Sequence, residues 1–471
     1  MKIRFCGAAQ FVTGSSHLLE LDNGFKILLD CGMFQGKGAN IWEWNNEWLF
    51  DPKEINCLIL SHAHIDHCGM IPKLVKDGFK GQIYCTYATR SLASIMLLDS
   101  AKIQEMDVLW YNERIRKKRK KNKQQFRIPL YEGEDVGPAM TKFEGVAYDE
   151  WKKIHPDVEV IFKDAGHILG SASITLKIKE NGKETMIGFT GDIGRPDRPI
   201  LRDPVPMPNV DYLISESTYG DRLHEASPEQ AEEFLEVIKD TCLRKKGKLI
   251  IPAFSLGRTQ EIVYMLDKME SKGQLPPVKV YVDSPLAVNV TYIFSLHPEC
   301  FDKEINAYIH TNSNPFGFDN LEYIKDVNKS KALNKSDEPC IIISASGMMN
   351  AGRVKHHLFN NIEDPKNTFL IVGYCTPETP GGILRSGAKT IQIFEEEKIV
   401  RADVKVMDSF SAHGDRDEMF DFIQNQKGKT KTLFLVHGEP ETQIRYKSFL
   451  QEQGFGAIEI PARGQEFTLD I

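Results

Sequence analysis

Residues 61–67 read Ser-His-Ala-His-Ile-Asp-His, which places four metal-binding groups, His62, His64, Asp66 and His67, within six positions. Imidazole nitrogen and carboxylate oxygen are the ligands that zinc takes. A turn leaving a strand can point His62 and His64 to one side and Asp66 and His67 to the other, the arrangement needed to feed two adjacent metals. Such a pair activates a water and neutralises charge on the group under attack. With only 13 histidines in 471 residues, this clustering reads as a metal site.

Other segments suit an anion. Pro252-Ala253-Phe254-Ser255-Leu256-Gly257-Arg258 puts Gly-Arg at the start of a helix, where free backbone N–H groups and a guanidinium can meet phosphate. Ser344-Ala345-Ser346-Gly347 and Gly352-Arg353 can do the same after a strand, so Arg258, Ser346 and Arg353 are candidate phosphate contacts. From Arg114 to Lys123, eight of ten residues are Lys or Arg. That run suits either an RNA-facing patch or a solvated helix end.

Positioning these groups takes two kinds of structure. Over the first two hundred residues the apolar runs are short and β-rich: Lys2–Cys6, Ser16–Leu21, Phe25–Asp30, Cys57–Ser61, Gln82–Thr86, Val158–Phe162, Ser173–Ile178 and Thr185–Thr190. A long helix is predicted between Ser91 and Gln125, with Ile95, Met96, Leu98, Ile103, Met106, Leu109 and Trp110 as its apolar positions. From Gly247 strands and helices alternate: Lys248–Ala253, Arg258–Glu270, Val278–Asp283, Cys340–Ala345 and Thr368–Tyr374. The Gly- and Pro-rich stretch Thr376–Gly387 is predicted to be a loop.

Length and composition bound the answer. A chain of 471 residues has room for two or three domains. Its 59 basic and 66 acidic residues give a net charge of −7, so any polyanion must meet a local patch. No segment approaches the ~20 apolar residues of a membrane span, and the N-terminus lacks a secretory pattern, so a cytoplasmic protein without membrane partners is expected. Nine cysteines with no CxxC pair are expected to be buried free thiols.

The His-x-His-x-Asp-His segment resembles the signature of the metallo-β-lactamase superfamily, and the similarity continues downstream. Gly166-His167 and Gly191-Asp192 each follow a predicted strand, as the family's later ligands do, and Asp30 matches an acid that orients a ligand and its loop. Ser215-Glu216-Ser217-Thr218-Tyr219-Gly220, Ser409-Phe410-Ser411-Ala412-His413 and Leu435-Val436-His437-Gly438-Glu439 resemble motifs A, B and C of the β-CASP group, the nucleic-acid-processing branch. The resemblance covers essentially the whole chain. It implies an α/β protein: an αββα metallo-β-lactamase sandwich formed by residues 1–218 and 405–471, with an α/β β-CASP domain inserted at 219–404.

The same resemblance implies roles. His62, His64 and His167 would hold one zinc, Asp66, His67 and His437 a second, and Asp192 would bridge them together with a hydroxide; Mn²⁺ is the alternative metal. His413 would protonate the leaving oxygen, with Glu216 holding it protonated, so the catalytic set is Asp66, His413, Glu216 and Asp30. RNA-acting members resemble this chain in having histidine in motif C, where DNA-repair members typically carry valine. The expected activity is hydrolysis of single-stranded RNA, by endonuclease or 5′-exonuclease action in an interdomain cleft, to 5′-phosphate and 3′-hydroxyl ends. A homodimer is expected. A hydrolase of DNA or a small ester on the same fold, and a non-catalytic RNA-processing subunit, are the competing expectations. Thr379-Pro380-Gly381-Gly382 departs from the Gly-Thr-x-Gly-Arg of many relatives, which removes one arginine contact.

Overall fold

The computed structural model describes residues 1–36, 40–118, 126–224, 230–373, 375–407 and 412–470. They form two compact units, Met1–Leu223 with His413–Ile471, and His224–Ala412. The chain thus leaves the first unit once and returns to it.

The first unit is built on two seven-stranded sheets. One runs in the order Glu466–Thr468, Lys2–Gly7, Ser16–Glu20, Lys26–Leu29, Cys57–Ile59, Gln82–Thr86, Phe143–Val146. The other runs Ala457–Glu459, Thr432–Val436, Tyr212–Glu216, Lys183–Phe189, Ala172–Glu180, Val158–Asp164, Lys152–His155. Alternate residues of both, including Ile3, Phe5, Leu19, Ile27 and Ile59 from the first and Phe162, Ile174, Leu176, Phe189, Ile214 and Phe434 from the second, meet in one apolar core. This is the period-2 patterning of strands. On its outer face the second sheet turns Leu213, Leu433 and Leu435 toward Met419, Phe422, Ile423, Tyr446 and Leu450 of the helices Arg416–Ile423 and Pro440–Glu452. The helix Tyr87–Lys118 packs on the strands at the far edge of the first sheet. Two packed sheets with helices outside make the αββα sandwich that the sequence resemblance implies.

The edge strands Phe143–Val146 and Lys152–His155 were not among the strands read from the sequence. At a sheet edge, polar residues and glycine are tolerated, so the alternation that marks an inner strand is missing.

The second unit carries a six-stranded parallel sheet in the order Leu321–Tyr323, Lys279–Val282, Cys340–Ser344, Lys248–Pro252, Thr368–Ile371, Asp403–Val406. Three of its four inner strands, Cys340–Ser344, Lys248–Pro252 and Thr368–Ile371, are buried at every position, which is why they read as unbroken apolar runs rather than alternations. Thr376–Gly387, expected to be a loop, contains the helix Pro380–Arg385. Thr379 caps it by accepting the Gly382 N–H, and Pro380 occupies the first turn, where its missing N–H costs nothing. Among the described residues no helix is long and apolar enough to cross a membrane, and all nine cysteines are buried thiols.

Candidate metal centre

The strand Cys57–Ile59 delivers the first ligands. Past its end His62 lies fully buried, and His64 stands in extended conformation before the one-turn helix Ile65–Cys68, which presents Asp66 and His67 from successive positions. Two segments clamp this turn: before the strand Ser16–Glu20, Ser15 N–H donates to the Asp66 carbonyl (2.8 Å), and after Asp30, Cys31 N–H donates to that of His67 (2.8 Å). Gly32 makes the approach possible, since a Cβ there would fall 1.6 Å from the Asp66 carbonyl oxygen.

His167 enters from the turn after Val158–Asp164, Asp192 after Lys183–Phe189, and His437 after Thr432–Val436. His437 takes a left-handed backbone (φ 51°) whose N–H donates to the Ala8 carbonyl at 2.7 Å. Strands of both sheets therefore end at one place.

There the side chains form two sets that share one carboxylate. Asp192 Oδ2 lies 3.4 Å from both His62 Nε2 and His167 Nε2, and His64 Nδ1 lies 3.2 Å from each of those two nitrogens. Asp192 Oδ1 faces the other way, 3.2 Å from His67 Nε2 and 3.7 Å from His437 Nε2, and His437 Nε2 is 3.4 Å from Asp66 Oδ2. A tetrahedral zinc with ligands at roughly 2.05 Å has ligand–ligand edges of about 3.3 Å, and four of the distances within the first set match that edge. His67 Nε2, His437 Nε2 and Asp192 Oδ1 are buried without a hydrogen-bond partner. Polar atoms orphaned together in this way mark a place for a cation.

Protonation divides the same way. Burial lowers His62 to about 3 and His64 to about 4, and burial with the His413 charge takes His167 well below the usual range. These three imidazoles are neutral, with lone pairs available. Burial also opposes charge on His67 and His437, but Asp192 with Asp30 raises the first well above its ordinary value, and Asp192 with Asp66 raises the second. Metal binding must then expel those protons. Zinc titrations in buffers of different ionisation enthalpy should show proton release on binding, with affinity falling as pH falls. A binding enthalpy independent of buffer would contradict this assignment.

Buried partners orient the ligands. Asp30, fully buried, accepts His67 Nδ1–H at 2.6 Å and the Ser61 N–H at 2.8 Å, and Ser15 and Ser61 hydroxyls donate to its Oδ2 at 3.1 and 2.9 Å. Thr218 Oγ1 lies 2.9 Å from His437 Nδ1. Asp30→Ala should weaken zinc binding by roughly 10–100-fold, because His67 loses the partner that fixes its tautomer; unchanged affinity by competition with a chromophoric chelator would refute this.

His413 borders the cluster. An isolated bridge between Gly194 and His413, with the Gly414 N–H donating to the Ile193 carbonyl (2.8 Å), holds it two residues beyond Asp192. Its Nδ1 is 3.3 and 3.4 Å from the Glu216 oxygens, and its ring centroid is 4.5 Å from that of His167. Glu216 is itself buried and fixed by the Ile193 N–H (2.5 Å). Burial opposes a charge on His413, yet Glu216, followed by Asp192 and Asp66, raises it to about 9. Side-chain exposure of 21 % leaves the ring a path to solvent.

All seven sequence-derived ligands, Asp30, Glu216 and His413 thus lie in the first unit around one point. Arg258, Ser346 and Arg353 belong to the second unit, and there they have partners. Arg353 donates to Asp283 (2.6 Å) and to the carbonyls of Ile324 (3.2 Å) and Lys325 (2.5 Å), Arg258 is buried against Glu261, and the Ser346 hydroxyl donates to Asn350 (2.8 Å). The guanidinium groups of both arginines, the candidates for phosphate contact, are thus engaged inside the unit. Ser15, Ser61 and Thr218 escaped the sequence reading as positioning residues. Ser61 and Thr218 adjoin motif residues, which was the available signal; Ser15 carried none.

Comparison with known proteins agrees along the chain. Residues 9–228 match the metallo-beta-lactamase superfamily, 259–384 the Beta-Casp domain, and 398–461 the Zn-dependent metallo-hydrolase RNA specificity domain. The chain is 35 % identical to Ribonuclease TTHA0252 of Thermus thermophilus, over 96 % of this chain and 97 % of that protein. It is 33 % identical to an RNase J-like protein of Methanocaldococcus jannaschii (95 % and 93 %) and 31 % identical to Cleavage and polyadenylation specificity factor 73 of Drosophila melanogaster (96 % and 62 %).

Proposed function

This chain belongs to the β-CASP group of the metallo-β-lactamase superfamily, and from that premise we propose that it is a zinc-dependent ribonuclease acting on single-stranded RNA. The observation that carries the reading is Asp192, whose two oxygens face two separate sets of imidazoles, Oδ2 at 3.4 Å from His62 and His167 and Oδ1 at 3.2 and 3.7 Å from His67 and His437. In this reading His62, His64 and His167 would hold one zinc and Asp66, His67 and His437 the other, with Asp192 available to each. When bound, such a pair supplies a nucleophile at neutral pH and neutralises charge on the phosphate oxygens. All-nitrogen and oxygen ligation suits Zn²⁺ and also accepts Mn²⁺.

The chain's own groups supply the rest. Asp30 keeps the Nδ1 proton on His67, so its Nε2 lone pair points at the cluster. His413, carrying its proton at neutral pH with Glu216 on Nδ1, donates from Nε2 to the leaving 3′-oxygen. The products are a 5′-phosphate and a 3′-hydroxyl. RNA is favoured over DNA by the match of 398–461, which includes His437, to an RNA specificity domain, and by relatives named ribonucleases. Cleavage internally or from the 5′ end, a homodimer and a cytoplasmic location complete the proposal.

The test is a time course on single-stranded RNA labelled separately at each end, beside the same sequence in DNA and a chelator control. Chelator-sensitive RNA fragments bearing 5′-phosphates are expected. Intact RNA with two metals bound per chain would defeat the reading. Light scattering of the same preparation tests the dimer, which a monomer mass would exclude.

A further inference from the structure

The helix Tyr87–Lys118 has 32 residues, about 48 Å at 1.5 Å each, and only one side of it has a core to rest on. Leu92, Ala93, Leu97, Ala101, Val108 and Ile115 are buried, and from Leu97 onward they recur at four and seven residues along one side. Ile103, Met106 and Trp110 recur at three and four residues on the opposite side, 51, 70 and 61 % exposed, and Leu109 beside them is 64 % exposed. Most of the apolar positions predicted to anchor the helix thus face water. Single exposed apolar residues are ordinary, but a contiguous stripe marks a contact surface.

The same end of the helix orders cations against rings. Asn112 pins the returning chain in both directions: its Nδ2 donates to the Arg127 carbonyl (2.8 Å) and its Oδ1 accepts the Arg127 N–H (2.9 Å). Held there, the Arg127 guanidinium carbon lies 4.0 Å from the ring centroid of Tyr111 and 4.3 Å from that of Trp42. Arg114 lies 5.5 Å from the ring centroid of Trp110, Arg116 and Lys117 are exposed, and Ile128 after Arg127 is 76 % exposed. Residues 111–118 contain four Lys or Arg and one carboxylate, Glu113, in a chain of net charge −7. The basic run continues in sequence to Lys123, with 119–125 outside the described residues.

We infer that this helix end, built from Met106, Trp110, Arg114, Arg116, Lys117 and Arg127, is a second binding site for single-stranded RNA, separate from the residues of the metal cluster. The identity of its ligand rests on the ribonuclease reading above. Exposed rings stack unpaired bases of any sequence, and guanidinium and ammonium groups among them take the phosphates. A second protein chain would need only the apolar stripe. The local excess of positive charge on an otherwise acidic chain selects a polyanion. A duplex keeps its bases stacked on each other and leaves the rings unused.

The experiment compares a 30-nucleotide RNA with a tetranucleotide on the zinc-loaded enzyme. Trp110→Ala should raise KM for the long RNA about tenfold, leave its kcat unchanged, and have no effect on the tetranucleotide; Trp110→Phe should restore the wild-type KM. Arg114→Ala with Arg116→Ala should flatten the dependence of log KM on log salt by about 0.7 for each phosphate that is no longer neutralised. Wild-type KM and salt dependence in both variants would overturn the inference. So would an altered sedimentation coefficient with unchanged KM, which would make the face a protein contact. Anisotropy of the labelled 30-mer reads binding apart from cleavage: Trp110-dependent binding without any hydrolysis sustains this site and defeats the ribonuclease reading, whereas hydrolysis without Trp110 dependence does the reverse.

Discussion

His413→Ala should keep its full complement of metal and lose roughly 10²–10⁴-fold in kcat on RNA, the usual contribution of a positioned acid. The ring is paired with Glu216 at 3.3–3.4 Å, and neither proposed ligand set includes it: His62, His64, His167 and Asp192 would make one, and Asp66, His67 and His437 with the second oxygen of Asp192 the other. What the variant lacks is a proton for the 3′-oxygen. The loss should therefore vanish on a phosphodiester with a nitrophenolate leaving group, which departs without protonation. A purely structural His413 would slow both substrates alike.

The pH profile carries the same assignment with a definite sign. His413 is raised to about 9, with Glu216 its first supporting charge, so the acid form persists through neutrality and is lost as pH rises through that value. Wild-type kcat should fall on the alkaline side near pH 9. Glu216→Gln removes the carboxylate, lowers the pKa of His413 and moves that limb to lower pH. A limb that stays in place would exclude the pair as the source of the acid.

Asp192→Asn should have the broader effect. One carboxylate, 2 % exposed, serves both ligand sets and holds charge on His67 and His437. Burial alone would raise its pKa, but His437, His67 and His62 draw it well below the usual range, so the site depends on its negative charge. The amide is neutral and turns an N–H₂ toward one of the two sets. Metal content should fall from two per chain, and hydrolysis of RNA should drop by about 10³-fold or more, the equivalent of several kcal/mol of charge stabilisation. Unlike His413→Ala, this variant should be equally impaired on the activated phosphodiester. Two retained metals with near-normal turnover would show that Asp192 does not join the sites.

Much of this was legible in the chain. His62, His64, Asp66 and His67 are local in sequence, and one turn after one strand suffices to gather them, so their chemistry could be read before any fold was known. The inner strands showed through because burial on one face imposes alternation and burial on both imposes unbroken apolar runs, as in Cys340–Ser344. Edge strands and the helix Pro380–Arg385 did not, since water and a single cap satisfy what packing satisfies elsewhere.

Resemblance to a family supplied the distant partners His167, Asp192 and His437, and only the tertiary structure shows them meeting, at the ends of three strands of one sheet. It alone decided that the two oxygens of Asp192 face different sets. It also decided that Arg258 and Arg353 pair within the second unit, and that Met106 and Trp110 face water while Val108 faces the core. The sequence by itself determined which donors and acceptors the protein owns, because those are properties of each side chain. Which remain available for metal or RNA is settled by what packing leaves unpartnered, and that is a property of the whole fold.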